Sequence, residues 1–406
     1  MIWQAFEGPL PPKTLLALAL LGVGVRIVCV VALQSWSFER DYDFGYEMGQ
    51  LGATLVQDGG FLTVETPPRP TAKFPPLYPV VVAAFFKIFG VFSVPAAIGL
   101  FVFQIVCAAV STILLMRIGE RVFDRRAGLI AGMIWAFYPT SIFFSSVRIW
   151  YSELAVMLLL AVVAITVTGE SPLALGRIAC LAVLSGLLVL TDSTMILYLP
   201  LLALWAAYRG ARNPAGLIGR FGAWAVVFLV VCSPWLVRNW SIWGTPLLAK
   251  SNLGLELVLG NASELRKTVG QEQMGNEMES QRVLRDLALR WIRQHPERFA
   301  RLTLRRVVYF WGGNPGFGPE FFLRLMYFVP LLFLAIVGLW RGLREKRVMT
   351  PLWLFLLVYP LPYYVTHVGH GRYIYPVEPI VVLLAALPLA VLWGRRATVR
   401  RMPLTD

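Results

Sequence analysis

The amino-acid sequence predicts an all-α integral membrane protein, a polytopic bundle of about ten transmembrane helices with further helices at the extracytoplasmic interface. Three observations predict it. Of the 406 residues 57% are hydrophobic, and the mean hydropathy is +0.66, beyond the range of an ordinary soluble domain. The apolar residues fall in blocks of roughly the 20 residues that cross a bilayer core. Arginines gather at alternate ends of those blocks, the pattern that sets orientation in a membrane.

In chain order the spans read as 14–34, 94–116, 127–145, 149–167, 178–190, 194–208, 221–237, 325–340, 351–365 and 375–393. The apolar stretch 77–90 is short, follows Pro75-Pro76 and carries Lys87, so it reads as a helix dipping into the outer interface. Charge supports this. One set of connections carries Arg117, Arg121, Arg125 and Arg126, then Arg177, then Arg209, Arg212 and Arg220, then Arg341, Arg344, Lys346 and Arg347, then a basic tail. The opposite short turns carry Arg148, Asp192 and Arg372, with His367 and His370. The alternation holds only if 77–90 does not cross.

Both termini are then expected in the cytoplasm of a multi-pass protein of the inner (plasma) membrane. Within a single domain, 1–406, residues 35–93 form a first extracytoplasmic loop with an interfacial helix. Residues 238–324 form a second outer segment, with amphipathic helices at 280–294 and 296–310. In the second helix Phe299, Leu302, Val307 and Phe310 are expected opposite Arg298, Arg301, Arg305 and Arg306. The first apolar block is followed by a Trp and acids rather than a small-residue cleavage site, so it is expected to be retained.

The net charge of +14 caps helix ends instead of lining one stripe, which argues against a nucleic-acid partner and for the bilayer. Cys29, Cys107, Cys180 and Cys232 lie in apolar blocks without metal-like spacing and read as small packing residues.

The unusual polar residues fall on the outer side, where nucleotide sugars and ATP are absent. An enzyme there must use groups already carried across on lipid. A polyprenyl phosphate-linked sugar suits, because its phosphate leaves without protonation. One carboxylate to take the acceptor's proton, and cations to hold the phosphate, then suffice. Asp41, Asp43 and Glu47 are the base candidates, since a carboxylate beside a low-dielectric cavity takes up protons more readily. The competing reading makes them solvated loop acids, or Asp43 a cap for a helix starting near Phe44. Lys73, Arg148 and Arg372 are phosphate-clamp candidates, against snorkelling to headgroups. His367 and His370 have no evident third ligand, so phosphate binding or helix capping competes with a metal. No cofactor is called for, a divalent metal being the minor alternative. Glu153 is read as an acceptor-side or structural residue, with Arg148 the nearby cation, and Asp192 as an N-cap. Span centres nearly free of ionisable groups, and the lack of a repeat, weigh against a polytopic transporter or flippase of lipid-linked sugars, the alternative function.

Five strings, in this order, carry a family resemblance: Asp41-Tyr42-Asp43-Phe44-Gly45-Tyr46-Glu47-Met48-Gly49, Pro70-Thr71-Ala72-Lys73-Phe74-Pro75-Pro76-Leu77-Tyr78-Pro79, Ser233-Pro234-Trp235-Leu236-Val237-Arg238-Asn239-Trp240, Leu259-Gly260-Asn261 and Gly371-Arg372-Tyr373-Ile374-Tyr375-Pro376. Over nearly its whole length the chain resembles the GT-C superfamily of polyprenyl-phosphate-sugar glycosyltransferases. The nearest branch is that of protein O-mannosyltransferases and lipid A aminoarabinose transferases. The resemblance implies the GT-C fold and an inverting transfer, with an Asp of the first outer loop as base. It also implies a donor-phosphate set drawn from Lys73, Arg148, Arg372, His370 and Tyr373, with Tyr78 and His367 joining Glu153 as acceptor-side or structural residues. The family's adjacent Asp-Glu pair is absent here. Asp41 and Asp43 flank Tyr42 instead, which leaves the base open among Asp41, Asp43 and Glu47, with Asp43 favoured by register. The acceptor is a lipid, a glycan or a protein. Its recognition is expected to fall on the bundle and residues 238–324, because the large C-terminal domain of some relatives has no counterpart.

Overall fold

The computed structural model describes residues 9–37, 44, 47–63, 67–168, 173–262, 276–345, 347–366 and 371–399. Seventeen α-helices are named here in chain order: α1 (Pro12–Ala32), α2 (Glu47–Gln57), α3 (Leu77–Phe89), α4 (Val94–Val122), α5 (Arg125–Ala136), α6 (Pro139–Ser146), α7 (Ser152–Thr168), α8 (Leu175–Val189), α9 (Leu199–Gly210), α10 (Pro214–Trp243), α11 (Leu253–Asn261), α12 (Glu277–Gln294), α13 (Pro296–Gly312), α14 (Pro319–Arg344), α15 (Thr350–Val358), α16 (Leu361–Val365) and α17 (Glu378–Val399). Among the described residues five helical stretches are long and apolar enough to cross a membrane, the last running Gly371–Trp393, and six if the bent pair α5–α6 is one span. Among the described residues extended structure is limited to one isolated bridge, Leu62–Pro70. The chain is a helical, multi-pass membrane protein.

Every apolar block read from the sequence carries helix, but several are interrupted. The block 127–145 is α5 and α6, bent by 51° at Phe137-Tyr138. Pro139 opens α6 without an N–H, so the carbonyls before it need other donors. Arg26 of α1 supplies one, to Ala136 O, and also holds two hydroxyls of α6. It is 1% exposed and donates to Ala136 O (2.9 Å), Ser141 Oγ (2.7 Å) and Ser145 Oγ (2.9 Å), and to Gly22 O of its own helix (3.0 Å). Pro234, inside α10, likewise leaves Val230 O without a helical donor, and Ser233 Oγ donates to it (2.7 Å).

Two expectations are corrected here. The span interiors are not free of charge, because Arg26 and Glu153 are both buried within the bundle. Nor does Glu153 pair with Arg148. Its carboxylate accepts from Ser141 Oγ (3.1 Å) and from the Tyr375 hydroxyl, within reach of the Arg26 charge. Ser141 Oγ lies between the two, accepting from Arg26 and donating to Glu153, so the opposite charges face each other across one helix break, and burying either alone would be costly. Arg148 lies outside the helices and stacks over the Trp150 ring (5.7 Å).

Lipid provides no hydrophobic drive between helices, so close packing of small residues holds them. At Gly338 a Cβ would fall 1.9 Å from Leu384 O, so α14 and α17 meet backbone to backbone there. The basic connections gather at one end of the bundle. Arg347 donates to Val122 O (3.3 Å) and to Phe123 O, and Arg220 to Leu173 O (2.7 Å). At the other end lie the turns holding Arg148, Asp192 and Arg372, where Leu77 N also donates to Leu190 O (2.9 Å).

The two amphipathic helices are present as α12 and α13, but Arg306 is not on the polar face of α13. It is buried beside Phe310, four residues on, and donates to Tyr364 O (3.1 Å), Asn261 Oδ1 (2.9 Å) and Gly260 O. These acceptors belong to the last turns of α11 and α16, whose carbonyls lack helical donors. Burial, with Arg305 adjacent, pushes the Arg306 guanidinium down to about 10.

Candidate active site

Three pinned segments build the site at the end of the bundle away from the basic connections. Phe44 is 1% exposed and sits edge-on against Phe86 and Phe92, each at 5.4 Å. It anchors the entry to α2, whose first turn carries Glu47, a place where the helix dipole favours a carboxylate.

The second segment is 71–75. Arg238 NH1 donates to Thr71 O (2.9 Å), Ser251 N to Ala72 O (3.0 Å), and Ala72 N to Glu277 Oε1 (2.8 Å). Arg238 also donates to Phe61 O (3.1 Å) and lies over the rings of Trp235 (4.9 Å) and Trp243 (5.1 Å). The Pro-Trp-Leu-Val-Arg-Asn-Trp string is thus a clamp on the loop that presents Lys73.

The third segment comprises the 3₁₀ turns Gly371–Tyr373 and Tyr375–Val377. Tyr375 ties it to Glu153, and the Tyr373 ring packs on Tyr363 (5.0 Å). Arg372 is left to donate to Tyr373 OH (3.1 Å) and to stack over Trp150 (5.1 Å).

Two hollows meet at this turn. A cavity of about 310 Å³ is lined by Glu47, Lys73, Tyr151, Asp192, Lys250, Glu256 and Tyr373, among others. A groove of about 420 Å³ has walls of Phe143, Phe144, Leu323 and Tyr327, with Arg148, Arg324 and Glu320. Trp150 and Arg372 line both. The groove fits an amphiphile with an anionic head, because apolar walls end at guanidinium groups. The cavity offers aromatic faces, acids and amines to a polar group. Glu47 interacts electrostatically with Arg372.

The structure therefore brings together Glu47, Lys73, Arg372 and Tyr373, and places Arg148 on the groove side of the shared wall. Asp192 joins the cavity while also capping a turn, accepting from Thr194 N (3.1 Å) and Thr194 Oγ1 (2.6 Å). Burial raises its pKa, opposed by Thr194 and the Lys250 charge. Tyr78 and Glu153 line neither hollow. Tyr78 is 1% exposed and donates to Gln104 Oε1 (2.6 Å), so both act within the bundle. Asp41, Asp43, His367 and His370 lie outside the described residues. Lys250, Glu256 and Arg324 were not singled out by the sequence. Each is an ordinary surface-type residue outside the apolar blocks read from the sequence, and only tertiary packing brings it to the site.

Residues 73–238 match the dolichyl-phosphate-mannose-protein mannosyltransferase family. No curated protein matches the chain significantly. The fold matches the oligosaccharyltransferase AglB of Archaeoglobus fulgidus in complex with an inhibitory peptide and a dolichol-phosphate, with a TM-score of 0.52 and 15% identity over 97% of this chain and 52% of that one. It also matches the apo form of the A. fulgidus oligosaccharyltransferase, with a TM-score of 0.56 and 13% identity over the same shares. ArnT from Cupriavidus metallidurans bound to undecaprenyl phosphate overlaps more loosely, with a TM-score of 0.44 and 16% identity over 94% of this chain and 62% of that one. The chain spans about half the length of the archaeal enzymes. Its fold is that of these archaeal membrane oligosaccharyltransferases. A further A. fulgidus structure holds zinc and sulfate. Among the described residues here, no three His, Cys, Asp or Glu side chains converge to hold a metal ion.

Proposed function

We propose that the chain is an inverting membrane glycosyltransferase, moving a sugar from a polyprenyl phosphate-linked donor to a hydroxyl of an acceptor on the extracytoplasmic face. The observation that carries this reading is the wall shared by the two hollows. One guanidinium, Arg372, stacked on Trp150, faces an apolar groove on one side and a polar cavity on the other. A lipid phosphate in the groove then has its sugar directed into the cavity. The family match over residues 73–238 and the dolichol-phosphate held by the archaeal structure support the donor class.

In this mechanism the donor phosphate lies against Arg148 and Arg372, with Lys73 reaching it from the cavity side. The acceptor hydroxyl enters the cavity and loses its proton to Asp43, the residue preceding the anchored Phe44. The acceptor oxygen bonds to the sugar's anomeric carbon as the carbon–oxygen bond to phosphate breaks, and the electron pair leaves on the phosphate oxygen. The anomeric centre inverts, and the guanidinium groups stabilise the charge gathering on the leaving polyprenyl phosphate. Glu47 and Asp192 shape the cavity around the acceptor.

Asp43→Asn is expected to leave folding intact, because the anchor is Phe44, and to abolish transfer. Turnover equal to the parent would move the base to Asp41 or Glu47.

A further inference from the structure

The donor groove holds a third guanidinium whose present partner is poorly placed. Arg324 is 6% exposed, yet its ion pair in the structure is a 3.4 Å contact to Glu320, a side chain left 46% exposed at the groove rim. Buried arginines ordinarily sit in short, often bidentate, contacts. Glu378 lies behind, fully buried, with Arg324 and the Thr140 side chain as its polar neighbours. Among the described residues Glu320 is the one carboxylate lining the groove, against Arg148, Arg324 and Arg372.

The backbone makes room for this pair. At Gly371 a Cβ would fall 2.5 Å from Glu320 Oε1 and 2.8 Å from Arg324 NH2. The absent side chain lets the Arg324–Glu320 pair press against the residue that precedes Arg372. Arg324 and Arg372 therefore reach the same end of the groove from two different elements, α14 and the 371–373 turn.

We propose that Arg324 is a ligand of the leaving phosphate, and that Glu320 is a stand-in counter-ion which the phosphate displaces. The inference rests on the donor assignment above and adds a charge balance to it. A sugar–phosphate–polyprenyl diester carries one negative charge, and the polyprenyl phosphate that departs carries up to two. The second charge appears as the bond to the sugar breaks. A guanidinium held loosely by a carboxylate at 3.4 Å can transfer its hydrogen bonds to that new charge, whereas one locked in a short pair cannot. Glu320 retakes Arg324 when the product leaves, which keeps the product from being trapped.

The test uses the full chain in nanodiscs and a short-chain polyprenyl monophosphate, the product, titrated by calorimetry with the same alcohol lacking phosphate as control. Glu320→Gln removes the competitor and is expected to tighten phosphate binding by about threefold to tenfold. Arg324→Gln is expected to weaken it by more than about tenfold, with Arg324→Lys in between. In turnover with a polyprenyl phosphate sugar, Arg324→Gln is expected to lower kcat more than it raises KM. A purely structural Glu320–Arg324 pair would make both neutralising variants bind worse, or neither, and either result overturns the proposal. A parent protein that does not bind the monophosphate better than the alcohol overturns the donor assignment as well. Normal binding by the parent with no tightening in Glu320→Gln sinks this proposal alone.

Discussion

Replacing Arg26 with Met tests how far the bundle depends on its buried charge. Met fills similar length without charge, so the loss is one of hydrogen bonds and ion pairing. Arg26 donates four hydrogen bonds, three of them to the α5–α6 break at Ala136 O, Ser141 and Ser145. Hydrogen bonds from a charged donor contribute about 1.5–3 kcal/mol each, so losing three sets an effect of at least about 4.5 kcal/mol. Removing one partner from a buried charged cluster independently suggests about 3–5 kcal/mol, since Glu153 would be left without its cation. The two estimates agree. The effect is read by equilibrium unfolding in mixed micelles, following fluorescence of the 14 tryptophans. A companion Arg26→Met, Glu153→Met double variant should recover about 1–2 kcal/mol, because the stranded carboxylate is gone. A single variant within about 1 kcal/mol of the parent, or a double variant no more stable than the single, would refute the claim that these groups are coupled across the helix break.

Two further outcomes follow from the site. Arg372→Lys keeps a charge but loses the planar group stacked on Trp150 and the donor to Tyr373. Turnover should fall by about 100-fold or more, with thermal stability near that of the parent; turnover unchanged would remove Arg372 from the reaction. Burial raises the folded-state pKa of Asp192 above its ordinary 3.8, so the folded protein keeps a proton that the unfolded chain has already lost. The Asp192 contribution to stability is thus fullest below 3.8 and declines as pH rises through the raised folded pKa. Asp192→Asn, which can still cap Thr194, should unfold at a higher temperature than the parent at neutral pH and show a flatter stability–pH profile; a lower unfolding temperature at neutral pH would contradict the burial effect.

The helices were legible in the sequence because lipid imposes a long, one-sided composition on each of them. The amphipathic helices α12 and α13 were legible for a related reason, the periodic recurrence of apolar residues. Arg306 was misplaced because it sits at the boundary of two faces, and only the open carbonyls at Gly260 and Tyr364 draw it inward. The break after Ala136 was hidden inside an apolar run. Pro139 marks it, but the donor that permits it, Arg26, comes from a helix more than a hundred residues earlier. Glu47, Lys73 and Arg372 stand out in the sequence because charged residues at the ends of apolar spans have few structural uses, and the structure places all three on one cavity. Lys250, Glu256 and Arg324 lie in segments where charge is ordinary, so nothing local distinguished them. Arg238 stood in a quoted string, yet its work as a clamp on the Lys73 loop depends on a contact with Thr71 that the sequence does not announce.

The central claim is that a lipid-linked sugar is cleaved at the Arg372–Trp150 wall. The direct measurement is to reconstitute the purified chain in liposomes with a polyprenyl phosphate sugar labelled on both sugar and lipid, add membrane extract as acceptor, and separate the lipids by chromatography. The account predicts that polyprenyl phosphate appears in step with sugar on a new acceptor, and that both vanish in Arg372→Gln. Donor that changes leaflet with its sugar still attached, or label that stays where it began, would contradict it.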